Sequence, residues 1–197
     1  GVLGTLSLYN ALSEANEHKV LLDVTTTDKK CSFGYMLDDG ATTLWEYWDR
    51  AGEGFNSLGA NGVNILACWD SQNHCMFGGG LTSWMFQGLG GIRSTAAAYH
   101  EITFRPGLES ELTAASSTVH TIIGKAVSDW TYENDVLDWT VTIPVNAQGK
   151  IVIPVEGATV IEESGINVYQ KDGNGLTYVG MEDGAYVYNA GSGTYIF

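Results

Sequence analysis

What this sequence has little of narrows its roles before any motif is read. Only 9 of its 197 residues are Lys or Arg, against 23 Asp and Glu, a formal net charge of −14. The deficit is uniform: 5 basic and 10 acidic residues precede His100, and 4 basic and 13 acidic residues lie from His100 on. No basic patch is hidden in the sum, which argues against nucleic acid as a partner and disfavours polyanionic ligands. There is no run of about 18 apolar residues, so no membrane span is expected. No basic segment followed by an apolar run opens the chain, so no secretion signal is expected. Three cysteines, Cys31, Cys68 and Cys75, form an odd set without a C-x-x-C pair. That weakens zinc and disulfide readings and leaves them as small buried residues. No metal site and no cofactor are expected.

What is present is apolar and aromatic. Hydrophobic residues make up 44% of the chain, with 6 Trp, ample for a packed core, and 197 residues are enough for one large domain or one and a half small ones. The texture changes near residue 100. Before it, Leu8, Ala11, Leu12 and Ala15 recur at i, i+3, i+4, i+7 on one helical face. A short helix near Lys19 to Val24 follows, ending in Thr25 to Thr27. A third helix is read from about Met76 to Gly90, with Phe77, Leu81, Trp84, Met85 and Leu89 as its stripe. Gly78 to Gly80 at its start allow another backbone close. Between them, Ala51 to Ser71 is a long Gly/Asn-rich loop without period.

After residue 100 the period becomes 2. Leu137, Trp139, Val141 and Ile143 alternate with Asp138, Thr140 and Thr142, as in a half-buried strand. Asn134-Asp135 before it and "NAQG" after it read as turns. "HEITFRP", "TVHTII", "AVSDWTY", "KIVIP", "LTYVG", "AYVYN" and "TYIF" supply further strands, spaced by "DGNG" and "GSG". Short strands at this spacing predict an antiparallel sandwich. Two or three helices with heavy apolar faces cannot close a core alone. Either the sandwich covers them or more polypeptide does.

The stretch "GATTLWEYWDR", Gly40 to Arg50, sets one carboxylate, Glu46, among Trp45, Tyr47 and Trp48. A core wants the rings without the acid; a sugar site wants both, because sugar rings stack on aromatics and sugar hydroxyls need fixed polar partners. The other polar candidates before residue 100 are Asp49, Asp70, Asn73 and His74, the last two at the mouth of the third helix. Each has a plainer reading. Glu46 and Asp49 can be solvated acids, Asn73 an N-cap, His74 a satisfied structural histidine, and the aromatics plain core. Glycoside hydrolysis needs two carboxyl groups, and only one sits in a persuasive setting. A second function class also fits: a sandwich that binds sugar through exposed Trp130, Trp139 or Tyr residues, or that serves a structural role, without catalysis.

Several blocks, in order and spacing, carry a resemblance: "GVLGT…LYNALSE", "GYMLDDGATTLWEYWD", "SQNHCMFGGGLTSWMFQGLGGI", "ITFRP" and "TIPVNAQGKIVIP". They resemble the closing region of the bacterial α-L-rhamnosidases, glycoside hydrolase family 78. The likeness covers nearly the whole chain, most securely residues 1 to 154. It implies a segregated α+β fold. Residues 1 to 97 would be the last helices of a catalytic (α/α)6 barrel, incomplete in itself, and residues 98 to 197 a C-terminal, jelly-roll-like antiparallel β-sandwich. It implies inverting hydrolysis of terminal α-L-rhamnose from glycosides or polysaccharides. Glu46, in "TTLWE", matches the family's water-activating general base, and His74 a histidine that contacts rhamnose. Trp45, Trp48 and Asn73 are the further candidates for substrate contact. The general acid would lie in an upstream segment, which makes that segment a partner and this chain alone inactive. Tyr47 departs from the commoner Trp-Glu-Arg-Trp, and Cys75 and the loop Gly52 to Ala67 depart in detail.

Overall fold

The computed structural model describes residues 4–29, 32–46, 48 and 73–197. Tyr47, Asp49, Asp70, Cys31, Cys68 and the loop from Ala51 to Ser71 lie outside the described residues. The chain divides into two compact units, Gly1–Trp84 and Met85–Phe197.

The first unit is helical. Helix α1 spans Thr5–Glu14, α2 His18–Thr26, α3 Phe33–Asp38 and α4 Gly79–Trp84. Asn16 and Gly40 take left-handed φ after α1 and α3. In each case two backbone bonds close the helix end: Glu17 N–H to Leu12 O and Asn16 N–H to Ser13 O, then Ala41 N–H to Met36 O and Gly40 N–H to Leu37 O. This is the capping pattern that a residue free to adopt positive φ permits. Ser32 caps the other end of α3 by accepting the Tyr35 N–H at 3.0 Å. Between α1 and α2, Thr25 gives its single hydroxyl proton to Leu21 O. The Tyr9 hydroxyl therefore donates to Thr25 Oγ1, at 2.7 Å. Tyr9 also meets the Trp84 ring edge-on at 5.9 Å, and the Trp84 indole donates to buried His18 Nδ1 at 3.1 Å. Burying these polar atoms is tolerable because each has a partner.

The apolar face read in α1 is left open, and two other expectations for this stretch change. The buried face of α1 is Thr5, Tyr9 and Ser13, held inward by the hydroxyl and ring contacts of Tyr9, while Leu8, Ala11 and Ala15 are exposed. The run Met76 to Gly90 is not one helix. It is a 3-10 turn over Cys75–Gly78, then α4, then a π-turn over Met85–Leu89. The three successive glycines supply little helix propensity to hold one continuous α-helix. Cys75 is an exposed free thiol rather than a buried one.

The second unit is a two-sheet sandwich. Its strands are β1 Ile92–Ser94, β2 Glu101–Phe104, β3 Ala114–Thr121, β4 Gly124–Glu133, β5 Val136–Ile143, β6 Gln148–Ile153, β7 Glu162–Glu163, β8 Ile166–Asn167, β9 Leu176–Glu182, β10 Ala185–Ala190 and β11 Gly193–Ile196. One sheet runs β1-β2-β6-β10-β9 and the other β11-β5-β4-β3, with β7-β8 a separate hairpin. Pairing is antiparallel except between β2 and β6. The alternation read in Val136–Ile143 is seen directly: Trp139, Val141 and Ile143 point into the core with Phe104, Ile151 and Tyr188 of the facing sheet. Asn134 and Asp135 both have positive φ, so their turn matches the twist of the β4–β5 hairpin.

The core position of Trp130 and Trp139 is decisive for one reading. Each is 1% exposed. Their indole N–H groups are committed inside, to Leu89 O and Ser128 Oγ at 2.9 Å each. Neither can stack on a sugar, so the binding-module reading built on these two rings is set aside.

Candidate active site

The capped end of α3 releases the chain into Ala41–Glu46, and backbone chemistry then fixes its course. The His74 N–H donates to Leu44 O at 2.7 Å, clasping the segment before Glu46 to the segment before the Cys75–Gly78 turn. Beside it the Thr43 hydroxyl donates to Asn73 Oδ1 at 3.3 Å. Gly78 completes the fit: a Cβ there would lie 2.6 Å from the Leu44 side chain. Gly80 does the same for α1, since a Cβ would lie 2.8 Å from Leu6 Cα. Glycine at position 80 is a matter of space, because its nearest neighbours are backbone, whereas at position 78 the end of the Leu44 side chain would have to turn aside.

The clasp brings two chemically active side chains together. Glu46 Oε2 lies 4.0 Å from His74 Nδ1, with 30% of the Glu46 and 26% of the His74 side chain exposed. Both therefore reach solvent from a partly enclosed setting. A carboxylate so placed can take a proton from water, and the adjacent imidazole can hold a hydroxyl or pair with the acid when protonated. Trp45 is 3% exposed and belongs to the interior behind the acid. Trp48 is partly exposed and packs edge-on against Phe33 at 5.0 Å. Asn73 is exposed and, bonded to Thr43, is not the residue directly preceding the helical turn; that place belongs to His74. Leu44 and Thr43 escaped the sequence reading, because a backbone carbonyl and a lone hydroxyl leave no signature. Among the described residues no group of three His, Cys, Asp or Glu is arranged to hold a metal ion.

Comparison with known proteins bears on both units. Residues 1–89 match the model of the bacterial alpha-L-rhamnosidase 6 hairpin glycosidase domain, and residues 91–166 that of the bacterial alpha-L-rhamnosidase C-terminal domain. The chain belongs to the bacterial α-L-rhamnosidase family. An α-L-rhamnosidase of Formosa agariphila is 30% identical over all of this chain and 20% of its own length. The structure of an α-L-rhamnosidase from Dictyoglumus thermophilum aligns with a TM-score of 0.81 at 27% identity, covering all of this chain and 20% of that one. That of a Streptomyces avermitilis α-L-rhamnosidase, complexed with L-rhamnose, aligns at 0.79 and 27% identity, covering all of this chain and 17% of that one. The rhamnosidase family thus accounts for the segregated α+β fold. The chain spans about a fifth of the length of these relatives.

Proposed function

We propose that this chain supplies the closing helices and C-terminal sandwich of an inverting α-L-rhamnosidase, with Glu46 as the general base. The observation that carries the reading is the juxtaposition of the Glu46 carboxylate and His74 imidazole at 4.0 Å. In this scheme the helical unit that ends at Trp84 completes an (α/α)6 barrel, and the unit from Met85 on, a boundary earlier than the residue 97 read from the sequence because β1 pairs with β2, forms the sandwich after it. Glu46 takes a proton from a water, the resulting hydroxide attacks the anomeric carbon, and the leaving oxygen is protonated by a second carboxyl group. His74, Asn73 and Trp48 contact the rhamnose, and Trp45 backs the base from within.

Inversion sets the position of that second group. It must lie about 6.5–9.5 Å from Glu46 to leave room for the water, and no residue described near Glu46 recommends itself. The acid then comes from polypeptide upstream of these residues. Exposed Leu6, Leu8, Val20, Val24 and Leu37 on the helical unit support this, because apolar surface on a helix ordinarily faces a packed neighbour. The expected substrate is a terminal α-L-rhamnoside, with no nucleic acid and no membrane involved.

The reading is tested by stereochemistry. The chain joined to its upstream barrel segment, given an aryl α-L-rhamnoside, should release β-L-rhamnose first, as read by proton NMR before mutarotation. The 197 residues alone should release none. First-formed α-L-rhamnose, or robust hydrolysis by the isolated chain, contradicts it.

A further inference from the structure

A cleft of about 680 Å3 opens at one end of the sandwich, lined from both sheets and from the connector after β6. Its volume is in the range of sites that enclose a ligand. Half-buried Tyr132 of β4 and Phe197, which follows β11, give it aromatic walls. Asp135, Glu156 and Glu162 bring three carboxylates to the same cleft, and its lining includes no Lys, Arg or His. Asp135 is set by the tight β4–β5 turn, where its φ is 63°.

We propose that this cleft is a second saccharide site that binds a neutral stretch of the sugar chain whose rhamnose is removed elsewhere; this rests on the rhamnosidase reading above. The apolar face of a sugar ring stacks on Tyr132 or Phe197, burying C–H surface against an aromatic plane. Its hydroxyls donate to the carboxylates, and such charge-assisted bonds are the strong ones. Three like charges with no counter-cation in the lining repel uronates and sulfated sugars, so the site selects neutral chains. A second cleft of the sandwich, about 660 Å3 beside Thr103, Lys150 and Asn189, has no aromatic ring in its lining, and its lysine is paired with Glu182 at 2.6 Å. It lacks the wall a sugar ring needs.

The test uses the protein joined to its barrel segment and carrying Glu46→Gln, so that bound sugar is not consumed. The probe is a neutral rhamno-tetrasaccharide. Hydroxyl-radical footprinting read by mass spectrometry should show oxidation of Tyr132 and Phe197 falling as the probe is added, and needs no change in the cleft. Tyr132→Ala should weaken the calorimetric binding at this site by about tenfold, the loss expected for one stacked ring. Asp135→Asn, which keeps a residue tolerant of positive φ, should weaken it severalfold. A tetragalacturonate should protect neither ring. Unchanged oxidation of Tyr132 and Phe197 at saturating probe, or equal protection by the galacturonate, overturns the proposal. Failure of the rhamnosidase reading shows differently, as no release of rhamnose from the probe by the joined protein with Glu46 intact.

Discussion

Two neighbouring glycines should respond to the same substitution with opposite signs. Gly79 and Gly80 both lie at the start of α4. A Cβ at Gly79, whose φ and ψ are −57° and −36°, meets nothing within 4 Å. Gly79→Ala therefore gains helix propensity and reduces unfolded-state entropy without a clash, about 0.5–1 kcal/mol. Gly80→Ala gains the same, but its Cβ falls 2.8 Å from Leu6 Cα and 3.3 Å from Thr5 O and Tyr9 Cβ. Two of those three atoms are backbone, so α1 and α4 must separate, an overpacking penalty of about 1–3 kcal/mol. The propensity gain cancels in the difference between the variants, which leaves the penalty. For a chain of this size that places the Gly80→Ala midpoint about 2–12 °C below that of Gly79→Ala in thermal melts followed by far-UV circular dichroism. The consequence reaches the site, because the Cys75–Gly78 turn leads directly from His74 into α4. Equal melting of the two variants, or a Gly80→Ala protein more stable than the parent, refutes the reasoning.

Other outcomes follow from single contacts. Burial pushes the Tyr188 hydroxyl up to about 12, and its bond with Tyr169, then burial, pushes Tyr186 up to about 12. In the unfolded chain both ionise near 10, so stability complete below pH 10 should be lost as pH rises toward 12. The urea midpoint should fall between pH 9 and pH 11, less steeply in Tyr188→Phe; a level or rising midpoint contradicts this. Exposed Cys75 adjoins His74, so in the protein joined to its barrel segment iodoacetamide should slow rhamnoside turnover, and not in its Cys75→Ser variant. Equal slowing of both would show that the thiol does not border the site.

The sandwich was the legible part of the sequence, and the reason is local. Alternation in Val136–Ile143 is a property of one strand, and Asn134-Asp135 marks its turn with residues that tolerate positive φ. The same alternation already puts Trp139 with Val141 and Ile143 on the inner face, and pairing puts Trp130 opposite Trp139. A sugar role for either ring therefore ran against a pattern that could be read. Helix α3 escaped because six residues are too few for a period; its signals were the caps, Ser32 and Gly40. The buried face of α1 escaped because Thr5, Tyr9 and Ser13 form no apolar period, and it is tertiary contacts of Tyr9 that hold it inward. The Glu46–His74 pairing was suggested by one acid among aromatics, a histidine at a helix mouth and family likeness, but what joins the segments is one carbonyl and one N–H, which every non-proline residue carries.

The central claim is that Glu46 activates water, and one kinetic comparison tests it most directly. In the protein joined to its barrel segment, Glu46→Gln keeps the shape and removes the base. Its kcat on an aryl α-L-rhamnoside should be lower by about 10²–10⁴-fold with KM little changed. A near-normal kcat, or a loss confined to KM, would contradict the claim and assign the base to another carboxylate.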